Sequence, residues 1–323
     1  MEFLNLVLIA PIADMIEYPS FLVEVVFGGL MSGVMYSLVA LGFVLIFKAS
    51  GVFNFAQGVF ALFAALTLVG LMNGTMPFTL EKSLPELPAW AAVIVTFIVM
   101  IGLAIAVERI VLRPLVNQDH IIMFMSTIGL AFVLEGLGDT IWGSEVKALD
   151  VGIPTGNFLI GEIQIQIFDL WAAGIAAFLV VVLALFFQYT RTGRALRAVA
   201  DDHQAALSVG ISLRSIWILV WAISGFIAMV AGIMWGTESG VQFSLSLIAL
   251  KALPVLILGG FTSIPGAIIG GLLIGVGEKL AEIYIGGYFE TGALENWFAY
   301  VMALVFLLFR PQGLFGDKII ERV

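Results

Sequence analysis

Long apolar runs alternate with short polar breaks along the chain. The runs lie at roughly 22–47, 52–72, 89–108, 121–142, 168–189, 213–236, 245–260, 265–285 and 294–309. About 20 apolar residues cross the hydrocarbon core of a bilayer, and most of these runs reach that length. Each must be helical where it meets lipid, because a bilayer offers no partner to loose backbone groups. The run at 245–260 is short and ends in Gly259-Gly260, with Ser263-Ile264-Pro265-Gly266 beyond it, the pattern of a broken or re-entrant helix pair. Residues 1–19 read as a short interfacial or first-crossing helix broken near Pro11 and Pro19. Met1–Ala10 lacks a basic n-region, so a cleaved signal is not expected. The alternation Glu162-Ile163-Gln164-Ile165-Gln166-Ile167 predicts a short strand or hairpin inside the loop 143–168. The expected architecture is therefore an all-α polytopic membrane protein. It has about eight transmembrane helices plus a short N-terminal helix, broken or re-entrant segments near the centre and a short extracytoplasmic β-like hairpin. All of it falls in a single transmembrane domain over residues 1–323.

Composition agrees with that pattern. Hydrophobic residues make up 61% of the 323 positions and charged residues only 11%, against about 45–50% and 25% in soluble domains. There are no cysteines, hence no disulfides and no thiol chemistry. The two histidines, His120 and His203, are far apart and flank no metal-ligand pattern. A net charge of −9 without a basic cluster excludes a nucleic-acid surface.

Alternation of the runs puts Lys48, Arg109, Arg113, Arg191, Arg194, Arg197, Arg214, Arg310, Lys318 and Arg322 on one side. Lys82, Lys147, Lys251 and Lys279 are left for the other side or the spans. The basic side is expected to be cytoplasmic, with the C-terminus on it and the loop 143–168 outside. Of the acids, Glu108, Asp119, Asp201, Asp202, Asp317 and Glu321 fall inside.

Within the spans, glycines such as Gly259, Gly260, Gly266, Gly270, Gly271, Gly275 and Gly277 suit close helix packing. Together with Pro254 and Pro265 they also suit an unwound segment beside a transport path. Phe53-Asn54-Phe55-Ala56-Gln57-Gly58 is the corresponding candidate in the first half. Polar groups in hydrocarbon need a reason. Asn54 and Gln57, three apart, either hydrogen-bond between helices or line the path. Lys251 either snorkels, pairs with Glu135, Glu238 or Glu278, or attracts an anionic group of a solute. The candidate path residues are Asn54, Gln57, Lys251, Pro254 and Ser263.

The segment 189–214 is a long polar interruption on the basic side. Its alanine-rich middle predicts one helix with Leu196, Val199 and Ala200 on one face, Asp201 and Asp202 beyond, and Gly210 as its end. Such a helix is either a solvated amphipathic surface helix or one that docks into another protein's groove.

That segment resembles the coupling loop of ABC importer permeases. The wider chain resembles the branched-chain amino acid permease family, in its LivH-like branch. The matching stretches are Tyr36-Ser-Leu-Val-Ala-Leu-Gly with Phe53-Asn-Phe-Ala-Gln-Gly; Glu108-Arg-Ile-Val-Leu-Arg-Pro; Arg191-Thr-Gly-Arg-Ala-Leu-Arg-Ala; Leu250-Lys-Ala with Leu258-Gly-Gly-Phe-Thr-Ser-Ile-Pro-Gly-Ala; and Arg310-Pro-Gln-Gly-Leu-Phe-Gly. They run in family order from about residue 25 to 316. The resemblance implies a bacterial or archaeal inner-membrane permease subunit with four kinds of partner: the lipid bilayer, two cytoplasmic ATPase subunits, a second homologous permease and an extracytoplasmic solute-binding protein. It implies coupling to the ATPase through Arg194, Arg197, Asp201, Asp202, Ala205 and Gly210. Gln57 stands where the family commonly has histidine. Related permeases for urea, short amides and aromatic acids share these motifs, so resemblance leaves the solute open.

No Gly-x4-Gly-Lys-Ser/Thr pattern occurs, and Gly275-Val-Gly-Glu-Lys has the wrong spacing in an apolar run. The chain is thus expected to be no enzyme and to hold no cofactor, with ATP bound by partner subunits. A stand-alone secondary transporter or channel would need paired ionisable groups at mid-membrane, and the candidates here lie mostly near span ends. An intramembrane enzyme would need a nucleophile with a base, or a metal site.

Overall fold

The computed structural model describes residues 10–79, 81–115, 118–286 and 294–316. Residues 1–9 of the expected N-terminal helix lie outside them, as do Asp317, Lys318, Glu321 and Arg322 of the charge count. The described chain is mostly helical, as the apolar pattern requires. Six helices are long and apolar enough to cross a membrane: Pro19–Ser50, Ala89–Leu115, His120–Trp142, Ile167–Tyr189, Leu213–Ser239 and Ile264–Tyr284. Gln57–Met72, Phe243–Gly259 and Trp297–Phe309 are shorter apolar helices. The protein is a multi-pass membrane protein.

We label the helices in chain order: α1 Ala10–Glu17, α2 Pro19–Ser50, α3 Gln57–Met72, α4 Ala89–Ala106, α5 His120–Trp142, α6 Ile167–Tyr189, α7 Arg191–Asp201, α8 His203–Ser208, α9 Leu213–Ser239, α10 Ile248–Gly259, α11 Ile264–Tyr284 and α12 Leu294–Phe309. The break expected near Pro11 falls at the edge of the described residues, which begin at Ala10 with α1. The break expected near Pro19 is present, with Tyr18 outside helix and Pro19 opening α2, where a missing N–H costs nothing. The run expected at 52–72 becomes helical only at Gln57, because residues 51–56 leave the helix. At 16 residues α3 is about 24 Å long, short of the roughly 30 Å hydrocarbon core.

Burial sorts the spans. In their most apolar windows α2 and α9 are 78% and 72% buried, whereas α4 with its continuation is 28% buried. Helix α4 therefore leaves most of its surface uncovered by the rest of the described chain. Its inward stripe is Ala92, Thr96, Met100 and Ala104 at four-residue spacing. Glu108, also buried, continues that stripe into a π-helical turn, Val107–Leu112.

The chain divides into two compact units. One comprises residues 1–40, 153–180 and 251–323, the other 41–152 and 181–250.

In the first unit, two glycine pairs let helices touch backbone to backbone. A Cβ on Gly33 of α2 would lie 2.7 Å from Gly271 O of α11, and one on Gly275 would lie 2.5 Å from Gly33 Cα. This is small-residue packing, which needs no hydrophobic force between helices in lipid. Ser37 Oγ completes the seam, 3.0 Å from Ile268 O. The segment expected as a broken helix pair starts in the second unit as a 3-10 turn, Phe243–Leu247, and runs on along the chain as α10, a turn and α11. Gly259 and Gly266 meet across that turn so closely that neither has room for a side chain. The motif after α12 lies on the end of α10: Leu314 N–H donates to Leu258 O (2.8 Å) and Phe315 N–H to Gly259 O (3.2 Å). The expected hairpin is present as antiparallel β1 Asn157–Ile160 and β2 Ile163–Gln166. It is tied to α2 by Gln164 N–H on Glu24 Oε2 and Ser20 Oγ on Glu162 Oε2, both 2.9 Å. Below it Met31, Ile165 and Ala173 pack together with Phe158 and Ile163.

In the second unit, α3 and α9 make the closest pair. Gly232 of α9 rests against the backbone of Ala61, and Phe60 meets Trp221 edge to face at 5.9 Å. Phe97 of α4 meets Phe226 of α9 at 5.3 Å. Lys147 and Val241 exchange backbone hydrogen bonds of 3.0 and 2.8 Å, fixing the loop after α5 on the end of α9.

Candidate functional site: a polar cluster, an ion pair and a polar helical segment

The first candidate grows out of the break between α2 and α3. Gly51 takes φ +69°, where a side chain is strained, and a Cβ there would also lie 2.8 Å from His120 Nε2. The chain then runs unwound to Ala56. An unwound backbone in an apolar interior must find other partners. Phe55 N–H donates to Thr127 Oγ1 (3.1 Å), Ala56 N–H to Asn54 Oδ1 (3.1 Å) and Val52 N–H to Ser50 Oγ (3.3 Å). Thr127 Oγ1 lies 3.2 Å from Phe53 O, and Phe53 stacks on Phe43 at 4.6 Å.

Asn54 and Gln57 stand inside this arrangement, 0% and 1% exposed. Asn54 Nδ2 donates to Gln57 Oε1 (3.2 Å), and the Ser224 hydroxyl donates to the same oxygen (2.7 Å). Gln57 Nε2 donates in return to Ser224 O (3.2 Å). A Cβ on Gly42 would fall 2.6 Å from Gln57 Nε2, so a glycine makes the space for that amide. The cluster ties α2, the unwound segment, α5 and α9. Of the two readings for Asn54 and Gln57, hydrogen bonding between elements is the one the geometry displays. Ser224 and Thr127 were not among the candidates from sequence. Ser224 is a lone hydroxyl residue inside an apolar run, and Thr127 stands next to Ser126 in another; that is the available signal.

Lys251, Pro254 and Ser263 belong to the other unit. Among its three candidate carboxylates, Lys251 pairs with Glu278 of α11: Nζ to Oε1 is 3.5 Å, with side chains 30% and 4% exposed. Its ammonium also lies 6.0 Å from the centre of the Tyr36 ring, at the outer reach of a cation–π contact. Pro254 sits inside α10, where it removes a backbone donor. Ser263 caps α11, its Oγ accepting from Gly266 N–H (3.0 Å).

The polar segment 189–214 is two helices rather than one. Asp202 leaves the helix at φ −157°, and its carboxylate accepts from the N–H groups of Gln204 (2.8 Å) and Ala205 (3.0 Å) to cap α8. A short acidic side chain offers its backbone this alternative to a continuous helix. Leu196 and Val199 of α7 are buried, and Ala200 is half-buried beside them. Ala205, Leu207 and Val209 of the second helix and its end are exposed, and Gly210 follows at φ +83°. Arg194 and Arg197 turn back toward α6: Arg197 donates to Phe187 O and Gln188 O, Arg194 to Tyr189 O. Among the described residues no cluster of His, Asp and Glu could hold a metal ion.

Residues 25–310, from α2 to the end of α12, match the family model described as "Branched-chain amino acid transport system / permease component". The chain belongs to this permease family. It is 32% identical over 315 residues to the high-affinity branched-chain amino acid transport system permease protein BraD of Pseudomonas aeruginosa. That alignment covers 91% of this permease and 96% of BraD. The permease protein LivH of Salmonella typhimurium is 29% identical over 319 residues, covering 94% of this chain and 98% of LivH. The matched span contains the unwound segment, the segment 189–214 and the Lys251–Glu278 pair.

Proposed function

We propose that this permease moves branched-chain or other hydrophobic amino acids inward across the inner or plasma membrane, as the membrane subunit of an ABC importer. The full-length similarity to BraD and LivH carries the reading. Two cytoplasmic ATPase subunits bind and hydrolyse the ATP, and this chain, with no P-loop sequence, supplies neither catalysis nor a cofactor. A second homologous permease completes the membrane pair, and an extracytoplasmic solute-binding protein delivers the amino acid. The basic ends of the spans, the segment 189–214 and the C-terminus face the cytoplasm, and the hairpin loop 143–168 faces out.

ATP closes the ATPase dimer, the segment 189–214 moves with it, and the two permeases expose the path on alternate faces. The exposed Ala205, Leu207 and Val209 and the Asp202 cap support a docking role for α8. For the path we assign Asn54 and Gln57 at the unwound segment of one unit, and Lys251 and Pro254 in α10 with Ser263 just beyond it in the other; there the backbone leaves helix only at 260–263.

The test is uptake into liposomes holding the permease, its homologous partner and the ATPase subunits, with the binding protein added outside. Leucine uptake should require ATP and fall to background without the ATPase. Full-rate uptake without ATP would overturn the ABC reading in favour of a stand-alone transporter. Uptake of urea, a short amide or an aromatic acid in place of leucine would keep the ABC reading and replace the solute.

A further inference from the structure

The last four carbonyls of a helix have no partner inside it, and in α6 each of them is taken by the segment that follows. Phe186 O accepts from Thr190 N–H (3.1 Å) and Thr190 Oγ1 (2.6 Å). Phe187 O accepts from Arg197 Nη1 (2.5 Å) and Gln188 O from Arg197 Nη2 (3.3 Å). Tyr189 O accepts from Arg194 Nη1 (3.2 Å). The two guanidinium groups also sit at the negative end of a 23-residue helix dipole. Thr190 then caps α7, its Oγ1 accepting from Gly193 N–H (3.0 Å). Gly193 crosses so close to Phe187 O that a Cβ would collide with that oxygen. Span, turn and α7 are thus joined by five side-chain hydrogen bonds and one obligatory glycine.

We propose that Arg197, with Arg194 beside it, is a positioning residue that welds α7 to the end of span α6. A push delivered to α8 then moves the span as one body. This rests on the coupling role proposed above and gives Arg194 and Arg197, which the resemblance assigns to coupling, a specific part in it. The arginines act on the permease's own backbone, and contact with the ATPase falls to α8. The fork of one guanidinium onto two successive carbonyls explains why arginine serves here: lysine presents a point charge with no fixed fork.

The experiment uses the whole transporter in liposomes and reads three quantities: ATPase subunits retained in a pull-down, ATP hydrolysed, and solute moved per ATP. Arg197→Gln should retain the ATPase and its hydrolysis but lower solute moved per ATP about tenfold, the loss of two charge-assisted hydrogen bonds. Arg197→Lys should fall between it and the wild type. Ala205→Arg on the exposed face of α8 should instead lose the ATPase from the pull-down. Loss of the ATPase with Arg197→Gln would make the arginine a contact residue and overturn the proposal. An unchanged ratio of solute to ATP would overturn it as well. If Arg197→Gln does not accumulate in the membrane, Arg197→Lys and Arg194→Gln are read by the same criteria. Failure of the wild-type permease to bind the ATPase would refute the coupling reading itself, a result none of the arginine variants can mimic.

Discussion

Ser224 Oγ lies 2.7 Å from Gln57 Oε1, joining side chains 167 positions apart in the sequence, both of them buried. A hydrogen bond in such a place matters less for its net strength than for the cost of leaving one partner without it. That cost is about 1–3 kcal/mol for a neutral group. Ser224→Ala should therefore lower the stability of the detergent-solubilised permease by about that amount, and Gln57→Leu by a similar amount. The double variant should lose less than the sum, with a coupling energy of about 1 kcal/mol. Thermal unfolding of the four proteins measures it, and strict additivity would show that the pair does not act as a unit.

Much of this architecture is visible in the sequence because hydrocarbon leaves so few options. Eight of the nine expected apolar runs begin within about three residues of the start of a helix, since a span must satisfy its own backbone. The hairpin follows from the alternation at Glu162–Ile167. What stays hidden depends on contacts between distant positions. Ser224 becomes a partner of Gln57 only once α3 and α9 lie side by side. Gly260 needs its small size because a Cβ there would lie 2.8 Å from Gly316 N, 56 positions later. The alanine-rich stretch after Arg191 reads as one helix by propensity, but the Asp202 carboxylate wins locally by bonding two backbone N–H groups. Arg194 and Arg197 look like a solvated charged face until the orphan carbonyls of α6 are counted.

The Lys251–Glu278 pair should respond asymmetrically. Glu278 is almost wholly buried, whereas Lys251 keeps 30% of its side chain exposed. Lys251→Met leaves a carboxylate in the interior without that ammonium. Glu278→Gln leaves an ammonium that water still reaches. Breaking a fully buried pair costs about 3–5 kcal/mol, and access to water should reduce this to about 1–2 kcal/mol for Lys251→Met and less for Glu278→Gln. Unfolding temperatures of the two variants test the order, and a larger loss for Glu278→Gln would refute it.

The glycine seam between α2 and α11 should tolerate no side chain. Gly275→Val puts two methyl groups where Gly33 Cα already stands 2.5 Å from an added Cβ. Overpacking of this kind costs about 1–3 kcal/mol, and more where both neighbours are backbone. The variant should accumulate poorly in the membrane. Gly28→Ala, one position before Gly29, meets nothing within 4 Å and should accumulate like the wild type. Equal accumulation of Gly275→Val and the wild type, in a quantitative immunoblot of membranes, would mean that the seam can open.

Asp202 offers a way to separate shape from charge in the segment 189–214. Its carboxylate caps α8 through Gln204 and Ala205. Asparagine caps as well as aspartate, whereas alanine costs about 1 kcal/mol. Asp202→Asn should keep hydrogen-exchange protection and protease resistance across residues 203–208. Asp202→Ala should lose both there, with the spans unchanged. If transport driven by the ATPase follows the same order, with Asn near wild type and Ala reduced, the residue works by holding α8 in shape. Loss of transport in Asp202→Asn with protection intact would instead assign the negative charge to the partner's surface.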